Sequence, residues 1–222
     1  ADEAPAASSE SSDAARENIN IGGSRARRVL LADDADSGSK FSGSNGFGKD
    51  DTDSYSGNYS YADSPGEDYD PSQSGAILES VVTIDLTNAV SPKLSFWMII
   101  DADGGSLGLA GGTIQVSTDG GATWSSLDPG NEGGNYDQYV GIEVQGYQID
   151  QIFTGTYFSW EEKVFSLDAY IGSSNFKIAF AFFAANADSG DGWYIDDILK
   201  DAENTSPEKP SALKVQGDPT LN

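Results

Sequence analysis

The hydrophobic pattern of this chain has a period of two almost throughout. Leu94, Phe96, Met98 and Ile100 alternate along residues 93–100, with Trp97 and Ile99 between them. Successive side chains of a strand face opposite ways, so this run predicts a central strand covered on both sides. Phe176, Ile178, Phe180 and Phe182 repeat the alternation over 175–183. Shorter runs predict strands at 29–32, 56–63, 76–86, 112–117, 122–127, 139–149 and 157–167. No stretch shows the 3.6-residue period of an amphipathic helix. Many short strands joined by Gly-rich turns indicate an all-β sandwich.

The strand over 190–198 departs from the pattern. Trp193, Tyr194, Ile195 and Ile198 surround two adjacent carboxylates, Asp196 and Asp197. On a regular strand these two face opposite ways. One is then expected where an apolar residue belongs, and there it needs a cation, a donor or an edge position. Residues 1–28 are poor in apolar side chains and read as a tail or linker, with Ile19 and Ile21 as a short edge-strand candidate. The basic run 24–28 is either a charged lead-in to the next strand or a processing site. Residues 29–202 read as the sandwich. Residues 203–222 read as a linker and one more alternating strand, at Leu213 and Val215. That strand either opens a fibronectin III-like domain or is donated to a neighbour.

Charge and composition narrow the chemistry. The 222 residues carry a formal charge of -24 and contain neither cysteine nor histidine. Nucleic acid is excluded as a partner, because phosphate binding needs a basic patch. Disulfides, thiolate nucleophiles, Cys/His zinc sites and histidine general bases are excluded too. Carboxylates and oxygen-ligand metals remain, with calcium foremost. No stretch approaches the roughly 20 apolar residues of a membrane span, so no membrane insertion is expected. The start at Ala1 fits a mature terminus left by cleavage and an arbitrary boundary equally well.

Three sets of residues carry candidate chemistry. Ser117, Asp119, Gly121 and Trp124 match the Asp-box pattern S-x-D-x-G-x-x-W. There Asp119 is expected to accept backbone N–H groups across a turn whose glycines take positive φ, with Trp124 packed beneath. The box reads as a structural hairpin. A second set, Asp34, Asp36, Asp63, Asp196 and Asp197, lies at strand ends and early loops, and calcium wants six to eight oxygens of that kind. A third set, Tyr136, Tyr139, Tyr147, Tyr157 and Trp160, is the candidate contact surface, since sugars and protein partners favour exposed aromatic rings. Alternate members of it are expected in the core. Glu161 and Glu162, adjacent on a strand, face opposite ways and do not form a glycosidase pair.

The runs 54–66, 83–86, 92–97, 116–124, 165–172 and 190–198 together resemble the MAM-like module found beside bacterial secreted metallopeptidases such as immune inhibitor A. That module is related to the cleaved-adhesin domains of surface proteases. The resemblance spans about Val29 to Lys200. It implies an antiparallel jelly-roll β-sandwich, non-catalytic, with a structural calcium near the first and last strands. Asp34 and Asp36 match the family's acidic opening, and Asp196 and Asp197 its closing pair. The family's tryptophan after the opening loop is missing here, with Phe47 nearest. The expected function is a calcium-stabilised binding or adhesion module of a secreted or cell-surface protein, accessory to a peptidase or in contact with protein or carbohydrate. The alternative is a subunit of a surface layer or extracellular filament that self-assembles through its terminal strands.

Overall fold

The structure, a computed structural model, describes residues 26–37, 39–72, 75–102, 109–128, 136–144, 147–185 and 187–203. In chain order the first strands are β1 (Arg27–Asp33), β2 (Phe41–Ser44), β3 (Gly48–Asp50), β4 (Ser60–Ala62), β5 (Ala76–Ser80), β6 (Val90–Ala102) and β7 (Leu109–Ser117). They are followed by β8 (Ser125–Ser126), β9 (Gln138–Val144), β10 (Tyr147–Ile152), β11 (Gly155–Thr156), β12 (Glu161–Ser166), β13 (Lys177–Ala185) and β14 (Gly192–Glu203). The strands form an antiparallel two-sheet sandwich of jelly-roll type. Among the described residues the one helical element is a 3₁₀ turn, Asp168–Tyr170. No described helix is long and apolar enough to cross a membrane.

The seven-stranded sheet is built on β6, which pairs with β14 on one side and with β12 and β11 on the other. The far edge of β14 is shared by β1 and β4, and β3 lies beyond β4. The five-stranded sheet has the order β2-β5-β13-β7-β8. Between the sheets, Leu94, Phe96, Met98 and Ile100 of β6 face Ile178, Phe180 and Phe182 of β13, all fully or almost fully buried. Trp193 sits at the centre of this layer. Its ring centroid lies 5.8 Å from that of Phe180, 5.9 Å from Phe153 and 6.5 Å from both Phe47 and Phe96. Tilted and edge-to-face contacts of this kind add to the burial of apolar area.

Strand β13 is apolar on both faces because both are covered. Its outward Phe183 packs with Ile149 and Ile152 of the β9–β10 ribbon, which lies over the outside of the five-stranded sheet. Side-chain hydrogen bonds fasten the ribbon: Gln115 Nε2 and Ser126 Oγ both donate to the Gln148 carbonyl, at 3.1 and 2.8 Å.

Several sequence expectations are corrected. The continuous strand expected over 139–149 is two strands, β9 and β10, that fold back on each other. The strand expected over 56–63 is reduced to β4, because the preceding residues form a loop tied down by side chains. Strand β5 stops at Ser80, and Val81 and Val82 are exposed beyond it. Most informative is β14. Asp196 pairs with Trp97 and Leu199 with Ser95, so one residue of β14 is extra between them. That residue is Asp197, with φ 47°, and it makes a bulge. The bulge resets the alternation, so Ile198 still faces the core while neither aspartate does. Ile19, Ile21, Leu213 and Val215, which carry the self-assembly expectation, lie outside the described residues.

Lys200 is a cost that the core carries. It is fully buried on β14, and its Nζ has no hydrogen-bond partner among the described residues and lies 3.8 Å from the Phe176 centroid. Burial lowers its pKa from 10.5 to about 6, so it is held neutral at pH 7.

The Trp193 ring reaches the opposite sheet only because Gly112 has no side chain. A Cβ there would stand 2.2 Å from the indole, and the Gly112 backbone cannot move aside because it exchanges two hydrogen bonds with Phe153. Gly112→Ala is therefore expected to cost about 2–3 kcal/mol through overpacking, read as a lower midpoint in denaturant. An unchanged midpoint would show that Trp193 repacks freely.

Candidate functional site

The outward face of the seven-stranded sheet carries the open surface of the sandwich. Ser95, Trp97, Ile99 and Asp101 alternate with the core residues of β6 and line two adjacent clefts. The first, of about 370 Å³, is bounded by Ser95, Trp97, Asp34, Glu162, Asp197 and Leu199. The second, of about 200 Å³, lies at the Ile99 and Asp101 end. A ridge of aromatic rings stands beside them. Tyr55 stacks on Trp97, with centroids 3.8 Å apart and planes within 7°. Trp160 leans on Tyr55 at 6.2 Å, and its Nε1 donates to Asp53 Oδ1 at 3.2 Å.

Asp196 builds this ridge. The residue is fully buried on the outward side of β14, beneath the loop that carries Tyr55. Its Oδ2 accepts the backbone N–H groups of Tyr55 and Ser56 at 2.9 and 3.0 Å, and its Oδ1 accepts that of Asp197 at 2.7 Å. Ser56 Oγ adds a bond to Asp197 Oδ1 at 3.0 Å. The cross-strand partner of Trp97 thus holds the backbone of the residue stacked on Trp97.

The other candidate carboxylates also accept donors from the chain. Asp34 takes the N–H of Ser37 at 2.8 Å and its hydroxyl at 3.0 Å, and the backbone bond holds its carboxyl below the usual range. Asp36 accepts the N–H of Asn58 and Tyr59, clasping the opening loop to the one that carries Tyr55. Asp63 stands apart, fully buried, with Oδ1 on the Trp193 N–H at 2.6 Å and Oδ2 on Ser64 Oγ at 3.0 Å. Asp34 and Asp197 share the first cleft, whereas Asp36, Asp63 and Asp196 are turned to backbone donors. Among the described residues no three metal-ligating side chains gather closely enough to hold an ion. As arranged, the set does not fit a calcium held by all five.

The aromatic candidates divide. Tyr157 lines the second cleft and Trp160 belongs to the ridge. Tyr136 packs on Phe153 at 4.6 Å and Phe165 at 5.5 Å, with its hydroxyl buried, so it is a core residue. Tyr139 is 72% exposed on the β9–β10 ribbon, away from both clefts. Tyr147 is half-buried against Trp124 at 5.9 Å, outside the five-stranded sheet. Around the Ser117–Trp124 turn, Asp119 accepts the Thr123 hydroxyl at 2.6 Å, the Ser117 hydroxyl at 2.7 Å and the Thr123 N–H at 2.9 Å. These bonds, led by that from the Thr123 hydroxyl, hold its carboxyl well below the usual carboxylate range. Gly120 and Gly121 have φ of 79° and 100°. Sequence reasoning missed Tyr55 and Glu162 as cleft and ridge residues and read Trp97 only as covered. Trp97 was findable as the large aromatic on the outward phase of β6. Tyr55 has no periodic signal.

No family model matches this chain, and no curated protein matches it. Solved structures with a similar fold include the carbohydrate-binding module TmCBM61 in complex with β-1,4-galactotriose, at 14% identity, TM-score 0.46, covering 74% of this chain and 90% of that one. Another is the CBM22-1 xylan-binding domain of Xyn10C from Paenibacillus barcinonensis, at 14% identity, TM-score 0.44 and coverages of 82% and 99%. A third is a cleaved adhesin domain of Lys-gingipain from Porphyromonas gingivalis, at 16% identity, TM-score 0.41 and coverages of 79% and 99%. At these identities the likeness concerns the sandwich fold alone.

Burial raises the Asp63 carboxyl from 3.8 to about 7 and that of Asp196 to about 6. A carboxyl with a raised folded pKa binds its proton more tightly in the folded chain. Its stabilising contribution is complete below 3.8 and is lost as pH rises to the folded value. Asp34 and Asp119, shifted down, act only below that interval. Lys200, with its pKa lowered to about 6, acts in the opposite sense above pH 6, where the unfolded chain binds a proton that the folded chain does not. Unfolding free energy is therefore expected to fall between about pH 4 and pH 6, by at most about 1.4 kcal/mol per pH unit for each carboxyl, and the Asp63 and Lys200 contributions offset each other between about pH 6 and pH 7. Asp63→Asn should make the fall below pH 6 shallower and unmask the rise from Lys200 above pH 6. A slope identical in the variant would refute the assignment to Asp63.

Proposed function

We propose that this chain is a non-catalytic binding module that takes an uncharged carbohydrate on the outward face of its seven-stranded sheet. The supporting observation is the ridge of Tyr55, Trp97 and Trp160 beside the 370 Å³ cleft. Pyranose rings present C–H faces that stack on aromatic rings, and their hydroxyls donate to carboxylates. Glu162 and Asp197 line the cleft as acceptors. A lining of that sign disfavours acidic polysaccharides. The ridge is held in place by Asp196, so little conformational entropy is lost on binding. A secreted or cell-surface setting belongs to the same proposal.

Titration calorimetry of the full chain with neutral β-1,4-linked oligosaccharides tests it. Tyr55→Ala, which removes a 42% exposed ring, is expected to weaken binding at least about tenfold, or ~1.4 kcal/mol. No hydrolysis of the sugar should accompany binding. Failure of every neutral oligosaccharide to bind, or a Tyr55→Ala variant with wild-type affinity, would sink the proposal.

Calcium is a separate proposal drawn from the family resemblance. An ion would have to draw Asp34 and Asp197 from Ser37 and Ser56 at the edge of the first cleft. Once bound it would supply fixed positive charge between the opening and closing acidic segments. Scanning calorimetry with calcium and then with excess chelator decides: a rise in Tm reversed by the chelator supports the ion. An unchanged transition leaves the N–H donors as the full account of these carboxylates.

A further inference from the structure

We propose that the second cleft is a binding site for an organic ammonium group, independent of the carbohydrate reading of the first. It is lined by three carboxylates, Asp53, Asp101 and Asp191, and by three ring-bearing residues, Tyr157, Phe158 and Tyr194. Each carboxylate has one oxygen engaged and, among the described residues, the other without a hydrogen-bond donor. Asp53 Oδ1 accepts Trp160 Nε1 at 3.2 Å, Asp101 Oδ1 accepts Thr156 Oγ1 at 2.8 Å, and Asp191 Oδ1 accepts the Tyr194 hydroxyl at 3.1 Å. Among the described residues no lysine or arginine forms an ion pair with any of them. Lys163, whose Nζ lies 5.1 Å from the Tyr157 centroid, is spent on Glu161 at 2.9 Å.

The cleft therefore holds uncompensated negative charge next to aromatic rings. A hard dication does not suit it, because no three carboxylates among the described residues stand at metal-ligand spacing. A larger cation with diffuse charge does. A quaternary ammonium head group is attracted by the ring quadrupoles and by carboxylates spread around it, and it gives up its hydration at lower cost than a compact primary ammonium. The volume, about 200 Å³, suits a small head group rather than a polymer. Phe158 is the other sign. It is 93% exposed at the rim, the most exposed large apolar side chain among the described residues, and a bound methylated ammonium would cover it. The chain's charge of -24 raises the local concentration of such cations.

The test uses the full chain titrated with choline, with the uncharged isostere 3,3-dimethylbutanol and with Nα-acetyl-lysine amide, followed by NMR shifts of the 156–160 segment. Choline is expected to bind about tenfold more tightly than the isostere and to weaken with added salt. The lysine derivative separates a primary from a quaternary ammonium preference. Phe158→Ala removes an exposed ring and leaves the core intact, and it should reduce choline affinity at least about threefold. Asp191→Asn should do likewise. Equal binding of choline and its isostere, no binding of either cation, or an unaffected Phe158→Ala variant overturns the proposal. Displacement of choline by stoichiometric calcium overturns it too. Loss of oligosaccharide binding on Tyr55→Ala reports on the first cleft alone, so the two readings fail separately.

Discussion

The pairing of β6 with β14 is the constraint on which both faces of the molecule depend. Phe96 and Trp193 project from this pair into the aromatic core. Trp97 and Asp196, opposite each other in the same ladder, project outward. The ladder stays in register only because Asp197 is set aside as a bulge. Without that extra residue, Ile198 and Leu199 would exchange faces, since a one-residue slip inverts every later side chain. The bulge thus keeps the core dry and places two carboxylates on the outward face.

The acidic residues are handled mainly through hydrogen bonds rather than counter-charges. Asp33, Asp34, Asp36, Asp50, Asp63, Asp119 and Asp196 all accept backbone N–H groups. A carboxylate bonded in this way both satisfies orphan donors of a loop and fixes the loop to its neighbour. That explains how a chain with few cations and no disulfides ties down the Gly- and Ser-rich connections between Asp34 and Gly66. It also separates two kinds of carboxylate. Asp36, Asp63 and Asp196 are bonded to N–H groups and line neither cleft, whereas Asp53, Asp101, Asp191 and Asp197 line the clefts.

The asymmetry of the two outer faces follows from the β9–β10 ribbon. Ile149 and Ile152 cover Phe183 on the outside of the five-stranded sheet, so that face is closed. Among the described residues, nothing similar covers β6 in the seven-stranded sheet. Its outward residues instead meet a loop pinned by Asp196, which adds a ring rather than a lid.

Period-two alternation at 93–100 and 175–183 marked the two central strands, because burial of one strand face is a local property written in every second residue. The all-β class followed from the same signal, and so did the Ser117–Trp124 turn, whose bonds span a few residues. The site was only half legible. Tyr157 and Trp160 were visible as an aromatic run, but Tyr136 in the same run is core and Tyr147 belongs to the opposite sheet. Tyr55 reaches Trp97 through Asp196, which lies 141 positions further along the chain than Tyr55. Composition determined what this chain cannot use: thiols, imidazoles and a basic surface. Which carboxylates and rings share a cleft was decided only by the tertiary structure, because that depends on strand register, on one bulge and on loop contacts between distant residues, none of which has a local signature.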